Sequence, residues 1–258
     1  MVRAYLEELY SLRGLAAVVT GGSSGIGRAI ATALGRAGAS VVLVARTGRA
    51  LDEAVAELRE LGCRADRVVA DLGDRAALQR AAELATGPFG EPDVLVNAAG
   101  VNLRPPLEAL SAEDWDRTMA VNLEAPFLLG QAYGPRMAAR GFGRIINLAS
   151  QQAVRAFNHS GAYGVSKGGV AALTRSQAEA WSRHGVCCNA IAPGFVATPM
   201  TRAVFGDPER AAALAARTMA GRNGELDDFA GVAVFLAGRS SGYLTGQTIF
   251  VDGGFSAT

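Results

Sequence analysis

The stretch Leu15-Ala16-Ala17-Val18-Val19-Thr20-Gly21-Gly22-Ser23-Ser24-Gly25-Ile26-Gly27 decides the fold. Its first five residues are apolar without alternation, which marks a strand buried on both faces, as in a parallel sheet covered by helices. The run stops at a turn of glycine and serine. The chain then continues as Arg28-Ala29-Ile30-Ala31-Thr32-Ala33-Leu34, which reads as helix. In a strand–turn–helix unit of this kind, the turn's backbone N–H groups and the helix N-terminus face an anion such as a pyrophosphate. The spacing Gly21-x-x-x-Gly25-x-Gly27 is not the G-x-G-x-x-G fingerprint. A glycine-rich turn can also exist with no ligand, so the rest of the chain has to decide.

Six more short apolar runs follow, at Ser40–Ala45, Arg67–Asp71, Asp93–Asn97, Arg144–Ser150, Val186–Ala192 and Thr248–Asp252. Helical stretches separate them, one from about Leu51 to Leu61, and longer ones over about Asn122–Arg140 and Ala162–Arg183. Seven strands alternating with helices predict an α/β fold: a single doubly wound, Rossmann-type domain with a parallel seven-stranded sheet and helices on both faces. Residues 1–13 read as a short amphipathic arm and residues 14–258 as the domain. A segment rich in alanine and arginine, from about Met200 to Gly221, is expected to be a helical flap over the binding site.

Composition narrows the function. Half of the 258 residues are hydrophobic and the formal net charge is +1, with no basic run to suggest nucleic-acid binding. No apolar segment approaches the 18 or so residues of a membrane span. Glu7 and Glu8 stand where a signal peptide needs its apolar core, so a cytoplasmic protein is expected. Cys187 and Cys188 are adjacent in an apolar run and read as buried strand thiols. Two histidines without ligand spacing make no metal site.

After the second run comes Ala45-Arg46-Thr47. An acidic residue there would bond a ribose hydroxyl, whereas an arginine suits a 2′-phosphate, so NADP is preferred and NAD is possible. Arg46 also reads as a solvated surface arginine in a chain so rich in them.

Of the 25 lysine and arginine residues only Lys167 is lysine, and it lies four residues after Tyr163 in a helical segment. Residues i and i+4 share a helix face. A lysine ammonium is a compact point charge with rotatable donors, which arginine is not. A unit charge about 4 Å from a phenol, at an effective dielectric of about 20, is worth about 4 kcal/mol, or roughly three pKa units. That is expected to depress the Tyr163 pKa toward working range. Tyrosine and lysine four apart on an ordinary exposed helix are common, so the pair alone proves nothing.

Taken together these residues resemble the short-chain dehydrogenase/reductase family from about Leu12 to the end. Thr20-Gly21-Gly22-Ser23-Ser24-Gly25-Ile26-Gly27 is similar to its TGxxxGxG cofactor turn. Asp71, with Leu72, stands where the family contacts adenine. Asn97-Ala98-Ala99-Gly100 resembles its NNAG motif, with alanine for the second asparagine. Asn122, Ser150, Tyr163 and Lys167 match its catalytic tetrad. Pro193, Gly194, Val196 and Thr198 match the segment that contacts the nicotinamide carboxamide. The resemblance implies reversible hydride transfer between a nicotinamide and a secondary alcohol or ketone. Tyr163 moves the hydroxyl proton, Lys167 holds the phenolate and the nicotinamide ribose, Ser150 donates to the substrate oxygen, and Asn122 fixes a relay water. It also implies a homotetramer built on the long helices and the last strand.

Weaker local similarity, in Arg46, Asn102-Leu103-Arg104-Pro105-Pro106 and the polar residues after Ser150, points to the family's sugar-acid and polyol dehydrogenases, of the gluconate 5-dehydrogenase kind. Asn102, Arg104 and Gln152, with Gln151, Arg155, Asn158 and His159, are the candidate substrate residues, suited to a hydroxylated, carboxylated small molecule. A 3-oxoacyl-thioester reductase shares the tetrad and would need a basic patch at the mouth, for which Arg136, Arg140 and Arg144 are candidates. A non-catalytic NADP-binding sensor is the alternative from another class, disfavoured by retention of both tyrosine and lysine.

Overall fold

A computed structural model describes residues 2–257; Met1 of the expected arm and Thr258 of the expected domain lie outside the described residues. The strands are β1 Ala16–Thr20, β2 Ser40–Ala45, β3 Ala65–Val69, β4 Val94–Asn97, β5 Gly143–Leu148, β6 Val186–Pro193 and β7 Thr248–Val251. All pair in parallel, in the order β3-β2-β1-β4-β5-β6-β7. The helices are α1 Val2–Tyr10, α2 Gly25–Arg36, α3 Gly48–Glu60, α4 Arg75–Leu84, α5 Ala112–Met119, α6 Ala125–Ala139, α7 Gly161–Trp181, α8 Arg202–Phe205, α9 Pro208–Ala215 and α10 Ala230–Ala237.

Successive strand residues point to opposite faces, and the core divides accordingly. Val19, Leu43 and Val96 pack with Ile30 and Leu34 of α2, Leu51 of α3, and Phe229 and Leu236 beside and within α10. Val18, Val42 and Leu95 pack on the other face with Leu78 of α4, and Leu129, Tyr133 and Met137 of α6. Apolar side chains are needed on both faces, which is why the runs do not alternate. Cys187 and Cys188 are free, buried thiols of β6.

The chain builds β1 to β3 outward in one direction, then returns to place β4 on the other side of β1. Such a reversal leaves a crevice at the carboxyl ends of β1 and β4. Two local details depart from the sequence reading. The stretch expected to be helical from about Asn122 begins instead with a π-helical turn, Ala120–Glu124, between α5 and α6. The segment expected as a flap forms a 3₁₀ turn at Pro199–Thr201 followed by the two short helices α8 and α9.

Candidate active site

The glycine turn is shaped by backbone contacts that no side chain could share. Gly21 has φ +65° and Gly25 φ +54°, left-handed conformations that glycine adopts freely. A Cβ on Gly21 would lie 2.8 Å from Ala99 Cα, and one on Gly27 would lie 2.4 Å from Gly21 O. Thr20 Oγ1 accepts from the N–H groups of Ala98 (3.1 Å) and Ala99 (3.2 Å), stitching the end of β1 to the segment after β4. Ser24 stands at the N-cap of α2 without a side-chain cap, so the first-turn donors of a 12-residue helix stay open to an anion.

A cleft of about 730 Å³ crosses the strand ends from this turn. Gly21, Ser23, Ser24, Gly25, Ile26 and Gly27 line its middle; Arg46 and Thr47, with Asp71 and Leu72, line one end. Ala98, Gly100, Ser150, Tyr163 and Lys167 line the other, roofed by Pro193, Gly194, Val196 and Thr198. Arg46 is exposed and has no acidic partner among the described residues. Asn97 is the exception among the expected cofactor residues. It is buried, its Nδ2 donates to Asn147 Oδ1 (2.8 Å), and Asn147 donates in turn to Thr174 Oγ1 and Gln177 Oε1 (both 2.9 Å). Its Nδ2 thus braces β4, β5 and α7, its Oδ1 stays buried without a partner, and the residue does not line the cleft.

Tyr163 and Lys167 share one face of α7, both buried, with Nζ 5.6 Å from the centre of the tyrosine ring. Nζ donates to Leu148 O at the end of β5 (2.6 Å). The expected depression of the tyrosine pKa does not hold. Burial raises it above the ordinary phenol value, opposed by a hydrogen bond with Ser150 and by the charge of Arg104. The ammonium is turned to a carbonyl of β5 and stands 5.6 Å from the ring centre. Burial holds Lys167 itself at about 8, below the ordinary lysine value.

Asn122 is buried close by. Its Oδ1 accepts from Val101 N (2.8 Å), and its Nδ2 donates to Val101 O (2.9 Å) and Ser166 Oγ (3.0 Å). Ser166 Oγ donates to Tyr163 O (2.7 Å). The side-chain amide joins the loop after β4 to the turn of α7 that carries the tyrosine. Gly100 lies between these groups: a Cβ there would come within 3.3 Å of Asn122 Oδ1 and 3.8 Å of Lys167 Nζ.

Of the substrate candidates, Asn102 lines the cleft and keeps a buried Oδ1 without a partner. Arg104 is half-buried beside Tyr163, outside the cleft wall, and its Nη2 donates to Asn158 O (2.6 Å). Gln152 accepts from Ser160 Oγ (2.7 Å) and does not line the cleft, so it braces the loop before α7. Arg155 donates to Ser256 O (2.8 Å), and His159 adopts φ +57° on the exposed end of that loop. Ser166 and Arg117 belong to the site or its frame without having been singled out. Ser166 lies inside the Tyr-x-x-x-Lys motif, which was the one available signal.

The three arginines sought as a basic patch at the mouth do not form one. Arg136 pairs with Glu83 and Glu91, and Arg140 with Asp93 and Pro92 O. Arg144 is buried against the carbonyls of Gly238, Gly143 and Gly185. All three lie toward the amino ends of β4 and β5, the end of the sheet remote from the cleft.

The family described as Enoyl-(Acyl carrier protein) reductase matches residues 21–256. A gluconate 5-dehydrogenase of Gluconobacter oxydans (strain 621H) is 40% identical over 97% of this chain and 98% of its own length. A 2-dehydro-3-deoxy-D-gluconate 5-dehydrogenase of Bacillus subtilis (strain 168) is 39% identical, with the same coverage of 97% and 98%. The crystal structure of a gluconate 5-dehydrogenase from Burkholderia cenocepacia J2315 in complex with NADP and tartrate superposes with a TM-score of 0.93. It is 37% identical, covering 98% of this chain and 99% of that one.

Proposed function

Because the chain belongs to the short-chain dehydrogenase/reductase family, we propose that it is an NADP-dependent dehydrogenase of sugar acids. It would interconvert a secondary alcohol and its ketone. One observation carries this reading: Ser150, Tyr163 and Lys167 open into the same cleft as the glycine turn. The cleft fits a dinucleotide, since the glycines leave the space that Cβ atoms would fill and the α2 N-terminus leaves donors free. The turn holds the pyrophosphate, Asp71 and Leu72 flank the adenine, and Arg46 faces a 2′-phosphate. The relative from Burkholderia cenocepacia, crystallised with NADP, supports this cofactor.

When bound, the nicotinamide supplies the hydride donor or acceptor. Ser150 donates to the substrate oxygen, where negative charge develops. Tyr163 gives that oxygen a proton in reduction and removes it in oxidation. Lys167, poised near 8, keeps a cation beside the phenol as its proton leaves. Asn122, through Ser166, fixes the helical turn that aims the tyrosine. Asn102 Oδ1 accepts from a substrate hydroxyl and Arg104 faces its carboxylate. The names of the relatives favour gluconate-like substrates. The segment from Met200 to Gly221, which runs from the 3₁₀ turn into α8 and α9, acts as the flap, since Met200 Cε at its start lies 3.8 Å from the Cβ position of Gly100.

We further propose that the protein is a cytoplasmic homotetramer. Free buried thiols suit a reducing compartment. Exposed Phe127 and Val165 on α6 and α7, and Tyr243 before the edge strand β7, supply apolar faces for neighbouring copies. Steady-state rates on gluconate with NADP, 5-ketogluconate with NADPH, and an acetoacetyl thioester with NADPH test the function. Turnover of the sugar acids is expected, and turnover of the thioester alone refutes the reading.

A further inference from the structure

Arg117 is exposed in the last turn of α5 and lines the cleft. The packing of the next turn shows which end of the cleft it faces. Val121, four residues on and on the same helix face, has its Cγ2 3.3 Å from the Cβ position of Gly73. Glu124, three residues further, pairs with Arg75 at the start of α4. Both contacts hold this face of the junction between α5 and α6 against residues 71–75. Arg117, one turn before them, therefore stands at the end of the cleft that Asp71 and Leu72 line.

Leu72 and Val121, both buried cleft residues, give that end an apolar floor that suits a flat heterocycle. Glu113 and Asp114 lie one turn before Arg117, where helix spacing allows an ion pair, and Arg117 pairs with neither. Among the described residues no hydrogen bond or ring contact engages its guanidinium. A cation in the last turn of a helix complements the helix dipole, a service that lysine gives equally well. A guanidinium, planar and weakly hydrated, does what an ammonium does poorly: it lies flat on an aromatic face.

We propose that Arg117 is a cofactor-binding residue whose guanidinium covers the adenine ring of the dinucleotide, the ring's other face meeting Leu72 and Val121. This rests on the NADP reading above. The two arginines at this end of the cleft then divide the adenosine half between them, Arg46 taking the 2′-phosphate and Arg117 the ring. NAD carries the same ring without the phosphate, so Arg117 holds both cofactors alike and leaves the choice between them to Arg46.

Fluorescence titrations with NADPH and with NADH, on wild type, Arg117→Ala, Arg117→Lys and Arg46→Ala, test the assignment. Arg117→Ala is expected to weaken both cofactors by the same factor, about fivefold, the loss of roughly 1 kcal/mol. Lysine at this position should recover little of that, since it keeps the charge and loses the plane. Arg46→Ala should weaken NADPH far more than NADH. A loss in Arg117→Ala confined to NADPH would move the residue to the phosphate and overturn the proposal. Unchanged binding of both cofactors, or full recovery by lysine, overturns it as well, and each of these results leaves the NADP reading intact. Wild type that binds neither nucleotide removes that reading first, so the two failures are distinct.

Discussion

Lys167 is buried with a single carbonyl partner, and burial holds its pKa at about 8 against 10.5 for an ordinary lysine. A base whose folded-state pKa is lowered destabilises the fold wherever it is charged in both states, which is below about pH 8. The penalty fades as pH rises from 8 toward 10.5. A drop from the ordinary lysine value to about 8 corresponds to as much as about 3 kcal/mol. Lys167→Met should therefore unfold at higher denaturant concentration than wild type at pH 7, by up to that amount, while losing turnover; the gap should close by about pH 10.5. A variant less stable than wild type at pH 7 would show that the lysine supports the fold. Arg46 makes a second prediction at this scale. Arg46→Asp should raise KM for NADP at least tenfold and lower the preference for NADP over NAD, and an unaltered ratio would remove Arg46 from cofactor choice. Neither the raised tyrosine pKa nor the bond from Lys167 to Leu148 was legible in the sequence. Residue spacing on a helix fixes a shared face, but it does not fix what the neighbouring strand presents to that face.

At the scale of elements, the glycine turn was the most legible feature, because its constraints are local: a strand end, a left-handed step and a helix start within seven residues. Gly27 packs so closely that Gly27→Ala would force its methyl against Gly21 O. This variant should bind NADP at least tenfold more weakly in a fluorescence titration and lose about 1–3 kcal/mol of stability. Unimpaired binding would mean that the turn yields and does not shape the pyrophosphate site. The amides were less legible. Asn97, Asn122 and Gln152 are polar residues at strand ends or beside the catalytic motif, and the sequence cannot tell a ligand-facing amide from one that braces its own loop. In the structure their side chains bond to Asn147, Val101 and Ser160 respectively, and Asn97 Oδ1 stays buried without a partner. The π turn that carries Asn122 has no signature in hydrophobic spacing.

At the scale of the molecule, the sheet order makes neighbours of the strand ends that frame the glycine turn and the reacting residues: Thr20, Asn97, Leu148 and Pro193 terminate β1, β4, β5 and β6. The number of strands and their parallel pairing followed from seven short apolar runs separated by helices. The site's position followed from the reversal between β1 and β4 once that order was known. Arginines 136, 140 and 144 illustrate the converse. They cluster in sequence, yet topology sends them to the far end of the sheet, into ion pairs and buried carbonyl contacts. The proposed tetramer belongs to this scale as well. Sedimentation should show a species near four times 26.6 kDa, and a monomer persisting at assay concentration would contradict it.

The central claim is that Tyr163 passes the proton at a substrate oxygen next to a bound nicotinamide. Its most direct test measures 5-ketogluconate reduction by Tyr163→Phe, with NADPH binding followed by fluorescence on the same preparation. Retained binding with kcat lowered by about 10²–10⁴ is the predicted result. Near-normal turnover at near-normal NADPH binding would contradict the account.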